Sequence, residues 1–176
     1  MTIALSQTVP EFELPGVDGQ SHGLDDYADA ELLVLVQSCN HCPYVRAWEG
    51  RMKVIQADYA DRGVRLVAVN SNDAAHYPED SLDEMRKRAE AQGFNFDYLQ
   101  DEDQSLVRAL GSERTPEVFV FDRERRLRYH GAIDDNRDEH QASQHYLRDA
   151  LDALLADEEP PVTQTPPVGC TVKWRS

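Results

Sequence analysis

The sequence predicts a single α/β domain, in which a central mixed β-sheet is covered by helices on both faces. Short, continuous apolar runs alternate along the chain with stretches of helical periodicity, and two further strands follow near the end. The length of 176 residues, of which 40% are hydrophobic and 29% are charged, suits one domain of ordinary size. We assign residues 1–157 to this domain. Residues 158–176 contain four prolines, and we expect them to form an extended tail packed on the domain.

The first part of the chain supplies an amino-terminal hairpin and the centre of the sheet. Apolar and polar residues alternate before and after an Asp-Gly turn, which is typical of a hairpin or of two short strands. Two runs of β-branched and leucine residues then flank a stretch with apolar residues every three or four positions. The predicted elements are a hairpin over 9–20, a turn over 24–27, a strand over 32–37, a helix over 43–60 and a strand over 64–69.

The second part of the chain supplies two further helices, a short helix and a second hairpin. Ser81 followed by Glu84 is the pattern of a capping box, and Gly93 marks the end of that helix. A charged turn over 122–126 joins the last two strands. The predicted elements are a helix over 81–93, a short strand or connection over 94–99, a short helix over 104–110, strands over 115–122 and 127–131, and an amphipathic helix over 140–155.

The motif Cys39-Asn40-His41-Cys42 is the strongest functional signal in the sequence. It follows the first core strand directly and precedes a helix whose first turn suits Pro43. At such a junction one sulfur lies beside the free backbone N–H groups of the helix, whose partial positive charge favours thiolate over thiol. We therefore predict a reactive dithiol, with Cys39 nearer to solvent and Cys42 in the first helical turn.

Composition narrows the range of partners. A formal net charge of −15 argues against nucleic acid and anionic membranes as partners. Three cysteines are too few for a disulfide scaffold in a chain of this length, so they need a reactive or metal-binding role, or none. No glycine-rich phosphate loop is present, and we expect no organic cofactor. Residues 1–10 lack the basic and apolar segments of a secretory signal, so we expect a cytoplasmic location.

Several of these segments together carry a resemblance. The chain resembles the thioredoxin-like superfamily, more narrowly its redoxin branch of AhpC/TSA and TlpA/ResA-like proteins, and within it a bacterial subgroup with a CNHCP motif. This implies a thioredoxin-like α/β/α sandwich with an amino-terminal hairpin extension. The segments that carry the resemblance are Pro10–Leu14 with Asp18-Gly19, Ser38–Val45, Thr115-Pro116 with Val118–Asp122, Gly131–Asn136 and Pro167–Trp174.

The resemblance implies a thiol–disulfide oxidoreductase. Cys39 would be the nucleophile and Cys42 the resolving thiol. Thr115 and Pro116 would form a cis peptide bond against the dithiol, and Pro116 would present the substrate backbone. His41 would lower the pKa of the nucleophile and make the couple more oxidising, unless it merely faces solvent. The expected partners are a disulfide- or peroxide-containing substrate and an unidentified thiol reductant.

Other functions stay open at this point. A thiol peroxidase, that is a peroxiredoxin-like antioxidant, is disfavoured because Val36 stands where that group places a hydroxyl residue three positions before the cysteine. A copper- or zinc-binding protein on the same fold is a second alternative, although no second ligand pair has suitable spacing. A redox-inactive binding module is the third alternative.

Two further residues have alternative interpretations. Cys170 is interpreted first as a buried small hydrophobe, and otherwise as a third redox partner brought back to Cys39 or Cys42 by the tail. Glu117 is interpreted first as a solvated residue at a strand end, and otherwise as a proton acceptor beside Pro116.

Overall fold

The computed structural model describes residues 2–176, so Met1 of the predicted domain lies outside the description. The helices are α1 (Pro43–Tyr59), α2 (Leu82–Gln92), α3 (Ser105–Leu110) and α4 (Tyr146–Leu155). The strands are β1 (Glu13–Pro15), β2 (Ser21–Gly23), β3 (Leu32–Ser38), β4 (Val64–Asn70), β5 (Asp97–Gln100), β6 (Arg114–Thr115), β7 (Glu117–Phe121), β8 (Leu127–Gly131) and β9 (Cys170–Thr171).

A five-stranded mixed sheet with the order β5-β4-β3-β7-β8 forms the centre of the molecule. Strands β3, β4 and β5 run parallel, whereas β7 runs antiparallel to both β3 and β8. The small β1–β2 hairpin pairs on its own, and β6 pairs with β9. The mixed sheet and the amino-terminal hairpin agree with the fold expected from the sequence.

Strand β3 is buried on both faces, because helices or loops cover each side of the sheet. Leu32, Val34 and Val36 pack in one core with residues of α1, α2 and α4. Leu33 and Leu35 pack in the opposite core with residues of α3 and of the amino-terminal segment. Full burial of one such side chain contributes about 1.5–3 kcal/mol, which explains why the strand is continuously apolar.

Helix α1 is held on the sheet by buried ion pairs as well as by apolar contacts. Arg51 donates hydrogen bonds of 2.9 and 2.7 Å to the two carboxylate oxygens of Asp134, and the indole Nε1 of Trp48 donates to Asp134 Oδ1 at 2.8 Å. On its other side, Glu49 accepts from Arg88 of α2. These contacts fix the middle of α1 on the domain, and Cys42 is the residue that caps the same helix.

The helix boundaries follow the predictions except at α4. Ser81 caps α2 by accepting from the backbone N–H of Glu84, and Gly93 ends it in the left-handed conformation, at φ 61°. Helix α4 begins at Tyr146 and not at residue 140, because its apolar stripe begins there. The preceding polar residues form a short 3₁₀ turn and a loop in which Asp135 accepts hydrogen bonds from Ser143.

The carboxyl-terminal segment runs back across the domain. Its strand β9 pairs antiparallel with β6, which sets Cys170 opposite Thr115. Val172 is buried, and the backbone of Lys173 exchanges hydrogen bonds with the 72–73 loop. Residue 169 must be glycine, because a Cβ atom there would collide with the carbonyl oxygen of Thr115. Among residues 2–176, no helix is long and apolar enough to cross a membrane.

Candidate functional site

All three cysteines meet where β3 ends and α1 begins. Cys42, the residue that caps α1, is bonded to Cys170 of β9, with the two Cα atoms 6.2 Å apart. Cys39 is a free, buried thiol. Cys42 is therefore paired with Cys170 and not with Cys39, its partner in the predicted dithiol, and the first interpretation of Cys170 as a lone buried hydrophobe is wrong. The alternative, in which the tail brings a third sulfur back to the motif, is correct.

The Cys42–Cys170 disulfide closes a loop with a sequence separation of 128 residues. A cross-link of this span removes much of the conformational entropy of the unfolded chain, which a chain-entropy model values at about 5 kcal/mol. Cys170 is partly exposed, whereas the side chain of Cys42 is fully buried. Of the two bonded sulfurs, solvent therefore approaches Cys170 more easily.

Cys39 differs from the prediction in both exposure and acidity. Cys39 is 1% exposed and Cys42 is 0% exposed, so both side chains are buried and neither is open to solvent. Burial raises the pKa of Cys39 to about 11, and the negative charge of Asp80 acts in the same direction. The backbone N–H groups of Cys42 and His41 do lower this pKa, as the helix argument predicts, but they are outweighed. With the disulfide closed, Cys39 is a protonated thiol at neutral pH.

Thr115 contacts both sulfurs of the original motif. Its hydroxyl oxygen lies 3.8 Å from Cys39 Sγ, and its carbonyl oxygen lies 3.5 Å from Cys42 Sγ. The bond between Thr115 and Pro116 is cis, as predicted. The structure thus brings Cys39, Cys42, Thr115 and Pro116 together, although 73 residues separate Cys42 from Thr115.

His41 lies against a carboxylate that the sequence analysis missed. Its Nδ1 atom is 2.5 Å from Oδ2 of Asp80, a residue that directly precedes the cap of α2, and its ring stacks on Tyr77. Asp80 also accepts a hydrogen bond of 2.7 Å from the backbone N–H of Asn40. Asp80 has no local signature of a functional residue. The one available signal was the polar loop after β4, because Asn70 and Asn72 both donate to Asp80.

Glu117 is not the solvated residue that the first interpretation assumed. It is 1% exposed, and its Oε2 atom lies 2.6 Å from Nε2 of His130. Its other oxygen accepts from the backbone N–H groups of Glu113 and Arg114, each at 3.0 Å. These bonds hold the turn before β6 and satisfy the carboxylate. We therefore assign Glu117 to the support of the Thr115-Pro116 segment.

Comparison with protein families gives one clear match. The sequence profile of the AhpC/TSA family matches residues 5–130. A comparison with curated protein sequences found no match.

Solved structures show the same architecture. A hypothetical protein from Sinorhizobium meliloti 1021 is 36% identical, with a TM-score of 0.94 over 100% of this chain and 97% of that one. An uncharacterized conserved protein from Geobacillus kaustophilus is 39% identical, with a TM-score of 0.92 over 98% of this chain and 93% of that one. Peroxidoxin BcpB from Mycobacterium tuberculosis, 20% identical with a TM-score of 0.65 over 88% and 95% of the two chains, shares the fold. The predicted thioredoxin-like, redoxin-type fold is confirmed.

Proposed function

The chain belongs to the AhpC/TSA family, and we propose that within it this protein is a thiol–disulfide oxidoreductase with a three-cysteine redox centre. One observation carries the proposal. A disulfide between Cys42 and Cys170 lies beside the free thiol of Cys39, and Thr115 contacts the sulfurs of both Cys39 and Cys42. Three sulfurs so placed can pass a disulfide among themselves by thiol exchange.

The first stage is reduction of a client disulfide by Cys39 and Cys42. Cys39 loses its proton and attacks one client sulfur, so that a Cys39–client bond forms, the client S–S bond breaks and the other client sulfur leaves and takes up a proton. Cys42 then loses its proton and attacks Cys39, which releases the second client sulfur and leaves a Cys39–Cys42 disulfide. The client gains two electrons and two protons, and the protein loses them.

The second stage moves the disulfide outward. Cys170 loses its proton and attacks Cys42, a Cys42–Cys170 bond forms, and Cys39 leaves and regains a proton. No electrons enter or leave the protein in this step. The product has the same bonding as the structure, in which Cys39 is a free thiol beside a Cys42–Cys170 disulfide.

Reduction by an external thiol completes the cycle. The attacking thiolate meets the partly exposed Cys170, and Cys42 leaves as a thiolate. Cys42 suits this role because it caps α1, where the helix dipole stabilises a negative charge. A second thiol then frees Cys170 and leaves as the oxidised reductant. The scheme specifies the client only as a disulfide and the physiological reductant only as a thiol.

The scheme is tested by single-turnover reduction of a model disulfide, with mass spectrometry of the trapped cysteine bonds. Cys39→Ser should abolish reduction of the client, and Cys42→Ser should accumulate a mixed disulfide on Cys39. Cys170→Ser should reduce one equivalent of client and then hold a Cys39–Cys42 disulfide. Full client reduction by Cys39→Ser, or absence of the Cys39–Cys42 bond in Cys170→Ser, would contradict the scheme.

Peroxide reduction is a separate reaction of the same family and has less support. Both reactions need the Cys39 thiolate, so the raised pKa of Cys39 does not separate them. Peroxide reduction also uses the hydroxyl residue three positions before the cysteine, and Val36 stands there. Peroxide consumption above the rate of free thiol, lost in Cys39→Ser, would reverse this preference. The cytoplasmic location is likewise a proposal, and cell fractionation with a compartment marker tests it.

A further inference from the structure

Three chemically different donor atoms converge beside α1. One ligand atom from each of Cys39, His41 and Asp80 lies within 4.8 Å of the other two. Cys39 and His41 come from the turn after β3, and Asp80 comes from the 3₁₀ turn before α2. A sulfur, an imidazole nitrogen and a carboxylate oxygen gathered in one place form a ligand set typical of zinc.

Three hydrogen bonds orient the Asp80 carboxylate. Its Oδ1 atom accepts from the backbone N–H of Asn40 at 2.7 Å and from Asn70 at 3.2 Å, and its Oδ2 atom accepts from Asn72 at 3.0 Å. All three donors are uncharged, although the side chain is 0% exposed. Within residues 2–176, its one ion-pair partner is His41. A buried carboxylate normally requires a stronger compensating charge.

His41 supplies a second, independent sign of a missing partner. Its Nδ1 atom is buried and makes no hydrogen bond of ordinary geometry, although it lies 2.5 Å from Asp80 Oδ2. A cation held by Nδ1, the Asp80 carboxylate and the Cys39 sulfur would give this nitrogen a partner. The arrangement of Asn40, Asn70 and Asn72 around Asp80 resembles the outer hydrogen bonds that orient metal ligands.

We propose that Cys39, His41 and Asp80 form a binding site for Zn²⁺. Zinc accepts sulfur, nitrogen and oxygen ligands together, whereas calcium and magnesium prefer oxygen alone. Binding displaces the thiol proton of Cys39 to solvent, with no change in oxidation state. Glu79, whose side chain is half-exposed, adds a further carboxylate next to this set, with its Oε1 atom 3.9 Å from His41 Nδ1.

The site goes beyond the exchange chemistry and has a consequence for it. The Cys42–Cys170 disulfide provides none of the three ligands, so zinc binds the oxidised protein without breaking that bond. A zinc ion on Cys39 holds this thiol out of exchange. His41 is the most exposed of the three ligand residues, and its ring stacks on Tyr77, a residue at the surface.

The test is a titration of the full-length, disulfide-closed protein with Zn²⁺ against a chromophoric chelator, without added thiol. One zinc per chain is expected, and Cys39→Ser, His41→Gln and Asp80→Asn should each weaken the affinity at least tenfold. His76→Gln is the matched control, since His76 Nδ1 also lies 2.5 Å from an aspartate, Asp73, but without a thiol among its ligand neighbours. It should leave the affinity unchanged.

A spectroscopic measurement with Co²⁺ tests whether sulfur is a ligand. Co²⁺ bound in place of Zn²⁺ should show thiolate-to-metal charge-transfer absorption that is absent in Cys39→Ser and present in His76→Gln. Failure to bind zinc, equal binding by Cys39→Ser, or equal loss in His76→Gln would overturn the site. These results are independent of the exchange scheme, because zinc binding needs no disulfide exchange and the single-turnover assay of that scheme needs no zinc.

Discussion

Two buried aspartates, Asp134 and Asp80, differ in how their charge is balanced. Asp134 is 4% exposed and receives both a guanidinium, from Arg51, and an indole N–H. Asp80 is 1% exposed and receives three uncharged donors, with His41 as its ion-pair partner. The first arrangement is complete and holds α1 on the domain. The second lacks such a cationic partner apart from His41 and lies beside a thiol, and it is at this second aspartate that we propose the zinc site.

The largest expected effect on stability comes from substitution of Asp134. Asp134→Asn removes the charge at nearly constant shape and leaves Arg51 buried without a counter-ion, which should lower the free energy of unfolding by about 3–5 kcal/mol. Urea denaturation followed by circular dichroism measures the change. A loss below about 1 kcal/mol would show that the Arg51–Asp134 pair is not the structural contact described here.

A double variant sharpens this conclusion. Arg51→Met combined with Asp134→Asn removes both charges, so it should recover about 1–3 kcal/mol relative to Asp134→Asn alone. The same urea titration gives the coupling between the two positions. No recovery would mean that the loss in Asp134→Asn comes from the hydrogen bond of Trp48 and not from a stranded charge.

Asp80→Asn makes the matched change at the other aspartate, and its effect on folding should be smaller. The substitution removes a buried charge that has little compensation, which stabilises the fold, and it weakens the hydrogen bonds from Asn70 and Asn72, which destabilises it. Because these two contributions oppose each other, we expect a change of about 1 kcal/mol in the free energy of unfolding. Equal destabilisation by Asp80→Asn and Asp134→Asn would remove the distinction between the two sites.

The smallest effect is a change in the acidity of Cys39, measured as the rate of iodoacetamide alkylation against pH in chelator. The pKa of Cys39 is about 11, and the negative charge of Asp80 helps to raise it. In Asp80→Asn the thiolate is less disfavoured, so the pKa falls and alkylation rises at lower pH. Asp134→Asn, examined where it stays folded, should keep the wild-type profile. If Asp80→Asn left the pH profile of alkylation unchanged, burial alone would account for the raised pKa of Cys39.

Local patterns were enough for most of the architecture. The apolar run over 32–37 predicts β3 within one residue, because a strand buried on both faces must be continuously apolar. Ser81 with Glu84 predicts the start of α2, because capping involves neighbours three residues apart. The cis bond before Pro116 was predicted from the resemblance to thioredoxin-like proteins and not from a local pattern, since proline only makes that geometry energetically possible. Among the helices, the one clearly misplaced start, at α4, lies where polar residues carry no helical stripe.

The amino-acid order therefore determined the strands, the helices, the place of the cysteine motif at the start of α1 and the family. Folding decided which sulfur Cys42 bonds, since Cys170 is 128 residues away, and it decided that Cys39 is buried beside Asp80. The physical reason is the distance along the chain over which each kind of interaction acts. Periodicity and capping depend on residues a few positions apart, whereas burial, charge compensation and the choice of a disulfide partner depend on which distant segments meet in space.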